Sequence, residues 1–281
     1  MNKESIAEAV KFIQTGYNLE NEEYIVKAIS SLRSSISTKS YTPPSKILDM
    51  KIEKPEFMKS GVDWLDSFLA GGLRKQELML VAGVPHVGKT HLLSYIAGQF
   101  VINDFSVLHI NGEDLMWDVA EIYKKILNGY DKEADKLYMS DMSDNKFSTQ
   151  SVRDLLLEMK STKPDIVVID YMDIMHTPRR GQDWLEAEEL TRDLRFLAKE
   201  FNVIILTASQ MNYESSGGGR GLARLFRSKV GKSMNADIII TADKVDDNIL
   251  ALNIEKARGR SILYKNIFIS CDWNTLEVNA A

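Results

Sequence analysis

The densest chemical signal in the sequence is one unbroken stretch, Gly83-Val84-Pro85-His86-Val87-Gly88-Lys89-Thr90. Glycines at its two ends let successive backbone N–H groups close around an anion, and a helix starting behind them adds the positive end of its dipole. Lys89 can then reach the outer phosphates of a nucleoside triphosphate, while the Thr90 hydroxyl can ligate the magnesium that travels with them. The context is the required one. An apolar run, Leu78-Met79-Leu80-Val81, precedes the stretch, and a helical pattern over 91–101 follows, so His91 joins the nucleotide-holding residues on the first helical turn.

A phosphate loop needs an acid at the end of a neighbouring apolar strand to hold the magnesium shell. Asp165-Ile166-Val167-Val168-Ile169-Asp170 supplies it, with Asp170 in that role. Hydrolysis further needs a group to activate water. Many loops of this kind place a glutamate directly after the strand aspartate, but Tyr171 stands there. Glu113 is the nearest suitable acid, just past the apolar strand Val107-Leu108-His109-Ile110-Asn111; Asp114 competes with it and Asp173 does so less strongly. Gln210 closes the next strand, Leu206-Thr207-Ala208-Ser209-Gln210, where a side-chain amide can touch the terminal phosphate. The four histidines lack metal-ligand spacing, so His91 and His109 read as structural and His86 as a variable loop position.

These residues fall on an alternation of short β-rich runs and helical ones from about residue 58. The spacing predicts strands over 77–82, 106–111, 136–140, 166–170 and 203–208. Helices are expected over 91–101, 115–127, 149–161 and 184–201. Such βαβ alternation implies a mostly parallel sheet covered by helices on both faces. Beyond residue 236 strand follows strand, over 238–241, 250–254 and 266–270, which implies antiparallel additions to one edge. Upstream, residues 1–40 read as a short helical segment, with apolar residues recurring at helical spacing from Ile6 and from Tyr24, and 41–57, beginning Tyr41-Thr42-Pro43-Pro44, as a linker. The main domain is expected over 58–281.

Hydrophobic residues at 44% and charged residues at 27% leave ample material for a core and exclude wholesale disorder. The single cysteine, Cys271, excludes a disulfide framework and any cysteine-based zinc module. No apolar run nears the ~18 residues of a membrane span and no signal-peptide core follows Met1, so a cytoplasmic protein with no membrane association is expected. The net charge of −5 excludes a uniformly basic polyanion binder but not a locally basic one.

Taken in order, the motifs resemble the RecA-like ATPase domain of DnaB-type replicative helicases, particularly the shorter-linked phage members. The carriers are Ser60-Gly61-Val62-Asp63-Trp64-Leu65-Asp66 with Gly71-Gly72-Leu73, the phosphate loop, and the glutamate after the following strand. Val168-Ile169-Asp170-Tyr171-Met172, Ser209-Gln210-Met211-Asn212 and Glu255-Lys256-Ala257-Arg258-Gly259 complete the set. The resemblance covers about 60–278. It implies an α/β RecA-like P-loop NTPase core that uses ATP and Mg2+, with Glu113 as catalytic glutamate, Asp170 on magnesium and Gln210 as sensor of the terminal phosphate. Lys256 and Arg258 would act on the ATP of a neighbouring copy in a homo-oligomeric, six-membered ring.

The resemblance also implies that the loops after the Asp170 and Gln210 strands grip single-stranded DNA. The first contains Thr177-Pro178-Arg179-Arg180-Gly181. Within 212–232 the second gathers five basic residues, Arg220, Arg224, Arg227, Lys229 and Lys232, against the single acid Glu214. Two features depart from the family. Only about 50 residues precede the ATPase, where relatives carry a larger primase-binding helical domain, and Asp173 stands where an uncharged residue is usual. The short N-terminal helices are expected to dock on a neighbouring copy instead, with a primase or loader as a possible further partner. A filament-forming RecA-like recombinase or mediator would suit 61–73 equally. An ATP-switched helicase loader would suit the chain less, since loaders pair the strand aspartate with an adjacent glutamate.

Overall fold

The computed structural model describes residues 56–143, 147–159, 161–176, 183–211 and 235–281. The expected N-terminal helices, the linker as far as residue 55, and the basic residues Arg179, Arg180, Arg220, Arg224, Arg227, Lys229 and Lys232 lie outside the described residues.

A single sheet organises the described chain. Its strands are β1 (Leu78–Gly83), β2 (Val107–Asn111), β3 (Leu137–Asp141), β4 (Ile166–Asp170), β5 (Ile204–Gln210), β6 (Ile238–Asp246), β7 (Ile249–Ala257), β8 (Asn266–Asp272) and β9 (Glu277–Ala280). They lie in the order β3-β2-β4-β5-β1-β6-β7-β8-β9. The first six in that row are parallel, and β7, β8 and β9 add antiparallel at one edge. Sequence reasoning grouped the strand at Ile238 with the antiparallel additions. In the structure it pairs parallel to β1, and the reversal begins only at the tight turn into β7.

Alternation along β1 sorts its side chains onto two cores, as a strand covered on both faces requires. Met79 and Val81 face α2 (Lys89–Ile102), α3 (Met116–Ile126) and the C-terminal strands. Leu78, Leu80 and Ala82 face α5 (Thr149–Glu158) and α6 (Asp183–Phe201). Helix α2 is apolar nearly all round because it is wedged between the sheet and α3: a β-carbon added at Gly98 would lie 2.5 Å from Ile126 Cγ2. Helix α5 starts at a capping box in which Ser148 and Ser151 satisfy each other's backbone N–H groups. Two short helices, α1 (Asp63–Phe68) and α4 (Asp131–Ala134), and a 3-10 turn at Met172–Ile174 fell below the length at which periodicity is readable.

The glycine-rich turn before β1 owes its shape to a residue that sequence reasoning passed over. Arg260 is buried, donates to the Leu69 and Gly72 carbonyls, and pairs with Glu77, which Arg74 also grips at 2.8 Å. Removal of one member would leave a buried charge without its partner, which is far costlier than the pair is stabilising.

Candidate active site

The parallel strands β2, β4, β5 and β1 end side by side, and the ligand-facing edge of such a sheet is the one beyond their carboxyl ends. A cleft of about 650 Å3 opens there. Pro85, His86, Gly88, Lys89, Thr90 and His91 line it from the phosphate loop, Glu113 and Asp114 from beyond β2, Asp170 and Tyr171 from β4, and Gln210 from β5. Gly83 ends β1 within the same loop, while Val84 and Val87 turn into the core.

Loop geometry follows from its residue types. Gly88 caps α2 with φ 90°, a left-handed backbone, and a β-carbon there would come within 3.1 Å of the Trp273 ring. Trp273 also stacks edge-on to His91 at 5.2 Å, so His91 is at once a wall of the cleft and a structural contact. Lys89 Nζ donates to the Gly83 and Val84 carbonyls at 3.2 and 3.0 Å. Burial pulls its ammonium below the usual lysine range, an effect opposed by Asp170, Asp173 and Glu113. A cation held by two carbonyls in a half-buried loop exchanges weak acceptors for strong ones when phosphate oxygens approach.

Asp170 is almost wholly buried, and that burial pushes its carboxyl up to about 6. The Thr90 hydroxyl donates to it and works against the shift, while Asp114 and Glu113 add to it. One carboxylate oxygen, Oδ2, has no hydrogen-bond partner. A buried, partly unsatisfied carboxylate bonded to a threonine hydroxyl beside a phosphate loop fits a magnesium ion, which Asp170 and Thr90 would hold. Among the described residues no group of three or more acidic, histidine or cysteine side chains is arranged to hold a metal.

The sign of the Asp170 shift sets a stability prediction. A carboxyl raised above its ordinary value stabilises the folded state in acid and costs it about 3 kcal/mol once pH has risen through about 6. Asp170→Asn should therefore melt higher than the unmodified protein at pH 8, by roughly 6 to 12 °C. The gap should close below about pH 4 in calorimetry without nucleotide.

The two acids beyond β2 act on different cations. Glu113 acts on Lys89, whereas Asp114 acts on His91. Glu113 is itself pushed above the usual carboxylate range, first by desolvation and then by Asp114. The Tyr171 hydroxyl donates to it and partly offsets that rise. The phenol is pushed up to about 12, first by its own burial and then by the Glu113 charge. Tyr171 is therefore the residue that the sequence reading left without a role; its only signal was the tyrosine in the place of the customary glutamate. Tyr171→Phe removes a donor to the carboxylate, so the Glu113 carboxyl rises further. The acid limb of the pH–rate profile should move to higher pH, with turnover near neutrality falling about tenfold. An unmoved limb would disconnect the phenol from Glu113.

Asp173 is bonded to the end of β5. Both its oxygens accept from Ser209 Oγ at 2.9 Å, and Oδ2 accepts from the Gln210 backbone N–H at 2.7 Å. His109 is a structural histidine: it is fully buried, held neutral by burial that drops it to about 3, and bonded to the Tyr123 hydroxyl at 2.8 Å. Cys271 is likewise a buried strand residue of β8.

Lys256 and Arg258 are not brought to the cleft. Strand β7 runs antiparallel, so its carboxyl end lies at the opposite edge of the sheet, where Ala257 pairs with Ile238 and Ile238 with Met79. Gly83 is four residues further along β1, about 13 Å at strand rise, and two strand spacings add roughly 10 Å sideways. There Arg258 is half exposed, 3.7 Å from the buried Asp237, which Arg195 also grips at 2.9 Å. Burial and the neighbouring Arg258 draw the Lys256 ammonium below the usual lysine range.

Fold and cleft together define a RecA-like P-loop NTPase domain, a nucleotide-binding domain built on a sheet of parallel strands with antiparallel additions. Residues 113–218 match the family model of the DnaB-like helicase C terminal domain. The fold is similar to a solved structure of an ATPase domain, at TM-score 0.67 and 17% identity over 90% of this chain and 97% of that one. It is also similar to a DnaB-like replicative helicase studied for its interactions with primase, at TM-score 0.70 and 18% identity over 96% and 74%. In sequence, the chain is 28% identical to the DNA repair protein RadA of Aquifex aeolicus over 63% of its length and 38% of the relative's. It is 27% identical to a probable replicative DNA helicase of Trieres chinensis over 69% and 49%. The chain thus spans less than half of each of these two relatives. The resemblance to the ATPase domain of DnaB-type helicases holds in the family model and in the fold.

Proposed function

We propose that the protein is an ATP-driven translocase on single-stranded DNA, a ring-forming helicase of the replicative type that hydrolyses ATP between subunits. The observation that supports this best is the division of the machinery between two ends of one sheet. Phosphate loop, Asp170, Glu113 and Gln210 face one cleft, while Lys256 and Arg258 stand at the far end of the sheet, with Arg258 beside Asp237, which supports a role for them toward a neighbour's nucleotide. In this reading Lys89 and the loop amides hold the triphosphate, and Glu113 activates the attacking water. Magnesium on Thr90 and Asp170 would neutralise developing phosphate charge, and Gln210 senses the terminal phosphate. The basic residues at 179–180 and within 220–232 grip the DNA backbone, and residues 1–40 and 41–57 form a helical segment and linker ahead of the ATPase domain.

The similarity to RadA proteins supports a second reading, a RecA-like recombinase or mediator that assembles as filaments. Electron microscopy with ATP and single-stranded DNA separates the two. Closed six-membered rings that unwind tailed forks support the helicase, and open filaments without unwinding overturn it.

A further inference from the structure

We propose that Asp173 is a positioning residue that sets Gln210 in the cleft by completing the hydrogen bonding that strand β4 leaves unfinished. This rests on reading the cleft as an ATP-hydrolysing site. Strands β4 and β5 pair in register only as far as Ile169 with Thr207, where the Thr207 hydroxyl donates to the Ile169 carbonyl at 2.8 Å. β5 nevertheless continues to Gln210. On its other side it stays paired with β1 to the end, Gln210 opposite Gly83, and the Met211 N–H donates to the Gly83 carbonyl at 3.0 Å. On the β4 side, the backbone N–H of Gln210 has no strand to pair with and donates instead to Asp173, at 2.7 Å.

A carboxylate that takes both the Ser209 hydroxyl and the Gln210 N–H fixes the backbone of the last strand residue on the face that β1 does not hold. The donor is neutral and the acceptor charged, the combination that makes a hydrogen bond about twice as strong as a neutral one. Asp173 comes from the 3-10 turn that immediately follows Asp170 and Tyr171. One short segment thereby touches three parts of the cleft: Asp170 beside Thr90, Tyr171 on Glu113, and Asp173 on Gln210. The Gly83 carbonyl closes the circuit, since it also accepts from Lys89. Displacement of any one of these groups by phosphate is transmitted to the strand end that carries Gln210. Asp173 touches no reacting atom in this scheme. It acts through the residue it holds.

The test is a cycle on the full chain: unmodified protein, Asp173→Ala, Gln210→Ala and the double variant, with steady-state ATP turnover measured for each. Asp173→Ala is expected to lower kcat about tenfold, the worth of one charged hydrogen bond, with KM for ATP held within about twofold. Asp173→Asn keeps one acceptor oxygen and should recover part of the loss. The deciding result is the double variant, which should turn over no more slowly than Gln210→Ala alone when Asp173 acts through the strand end it holds rather than through its charge on Lys89 and Tyr171. Additive losses in the double variant, or kcat and KM that change together, would overturn the inference, as would an Asp173→Ala protein with unaltered kcat. The unmodified protein separates this outcome from failure of the wider reading. If it turns over no ATP, the ATPase reading and this inference both fall; additive losses on an active enzyme overturn the inference alone.

Discussion

Glu113→Gln should bind ATP as tightly as the unmodified protein and hydrolyse it about 10²- to 10⁴-fold more slowly, the range over which a positioned general base contributes. The substitution keeps size and hydrogen-bonding capacity and removes only the ability to take a proton from water. Glu113 lines the cleft, is one of three acids, with Asp170 and Asp173, whose charge acts on Lys89, and is bonded to the Tyr171 hydroxyl. Asp114, one residue on, has its carbonyl fixed by Asn111 and acts on His91 instead. Asp114→Asn therefore serves as the control, with turnover expected to fall less than tenfold. Nucleotide binding by fluorescence and phosphate release measured side by side decide the matter. Retained turnover in Glu113→Gln, with a collapse in Asp114→Asn, would transfer the role.

The second large effect lies at the other end of the sheet. Arg258→Ala is expected to lose about 10³- to 10⁵-fold in ATP turnover, the usual worth of an arginine supplied from a neighbouring subunit, without losing nucleotide from its own cleft. The sheet itself supplies the reason: β7 runs against the parallel strands, so Arg258 cannot reach the phosphate loop of its own chain. In the proposed reading each catalytic unit would draw its loop from one copy and its arginine from the next. Mixing Arg258→Ala with Lys89→Ala is the decisive form of the experiment. At equal ratio, random assembly gives about one interface in four with an intact loop facing an intact arginine, so activity should return to that order. Absence of recovery at every ratio would show that the site is not shared. Arg195 and Arg258 both pair with Asp237, whose charge also acts on Lys256.

Both experiments rest on residues that were legible in the sequence, for a physical reason. A phosphate loop is a local object: its glycines, lysine and threonine are fixed by the backbone geometry of one turn, so Gly83 to Thr90 carry the whole instruction within eight positions. Asp170 was readable as the polar end of a buried apolar strand, and the parallel core was readable from alternating strand and helix periods. What tertiary structure alone decided are the bonds between groups distant along the chain. The Tyr171 hydroxyl reaches Glu113 only because β2 and β4 are neighbours in the sheet. Asp173 changes from a candidate acid to the support of Gln210 because β4 stops pairing before β5 ends. Arg260 becomes the clamp of the 69–72 turn across a separation that no local pattern records. Strand β6 joins parallel to β1 because its partner is selected by the shared core on that face, which its own residues do not encode. Sequence thus determined which chemistry sits at the ends of the strands. The order and direction of those strands determined which groups share one cleft, and placed Lys256 and Arg258 at the opposite edge of the sheet, away from it.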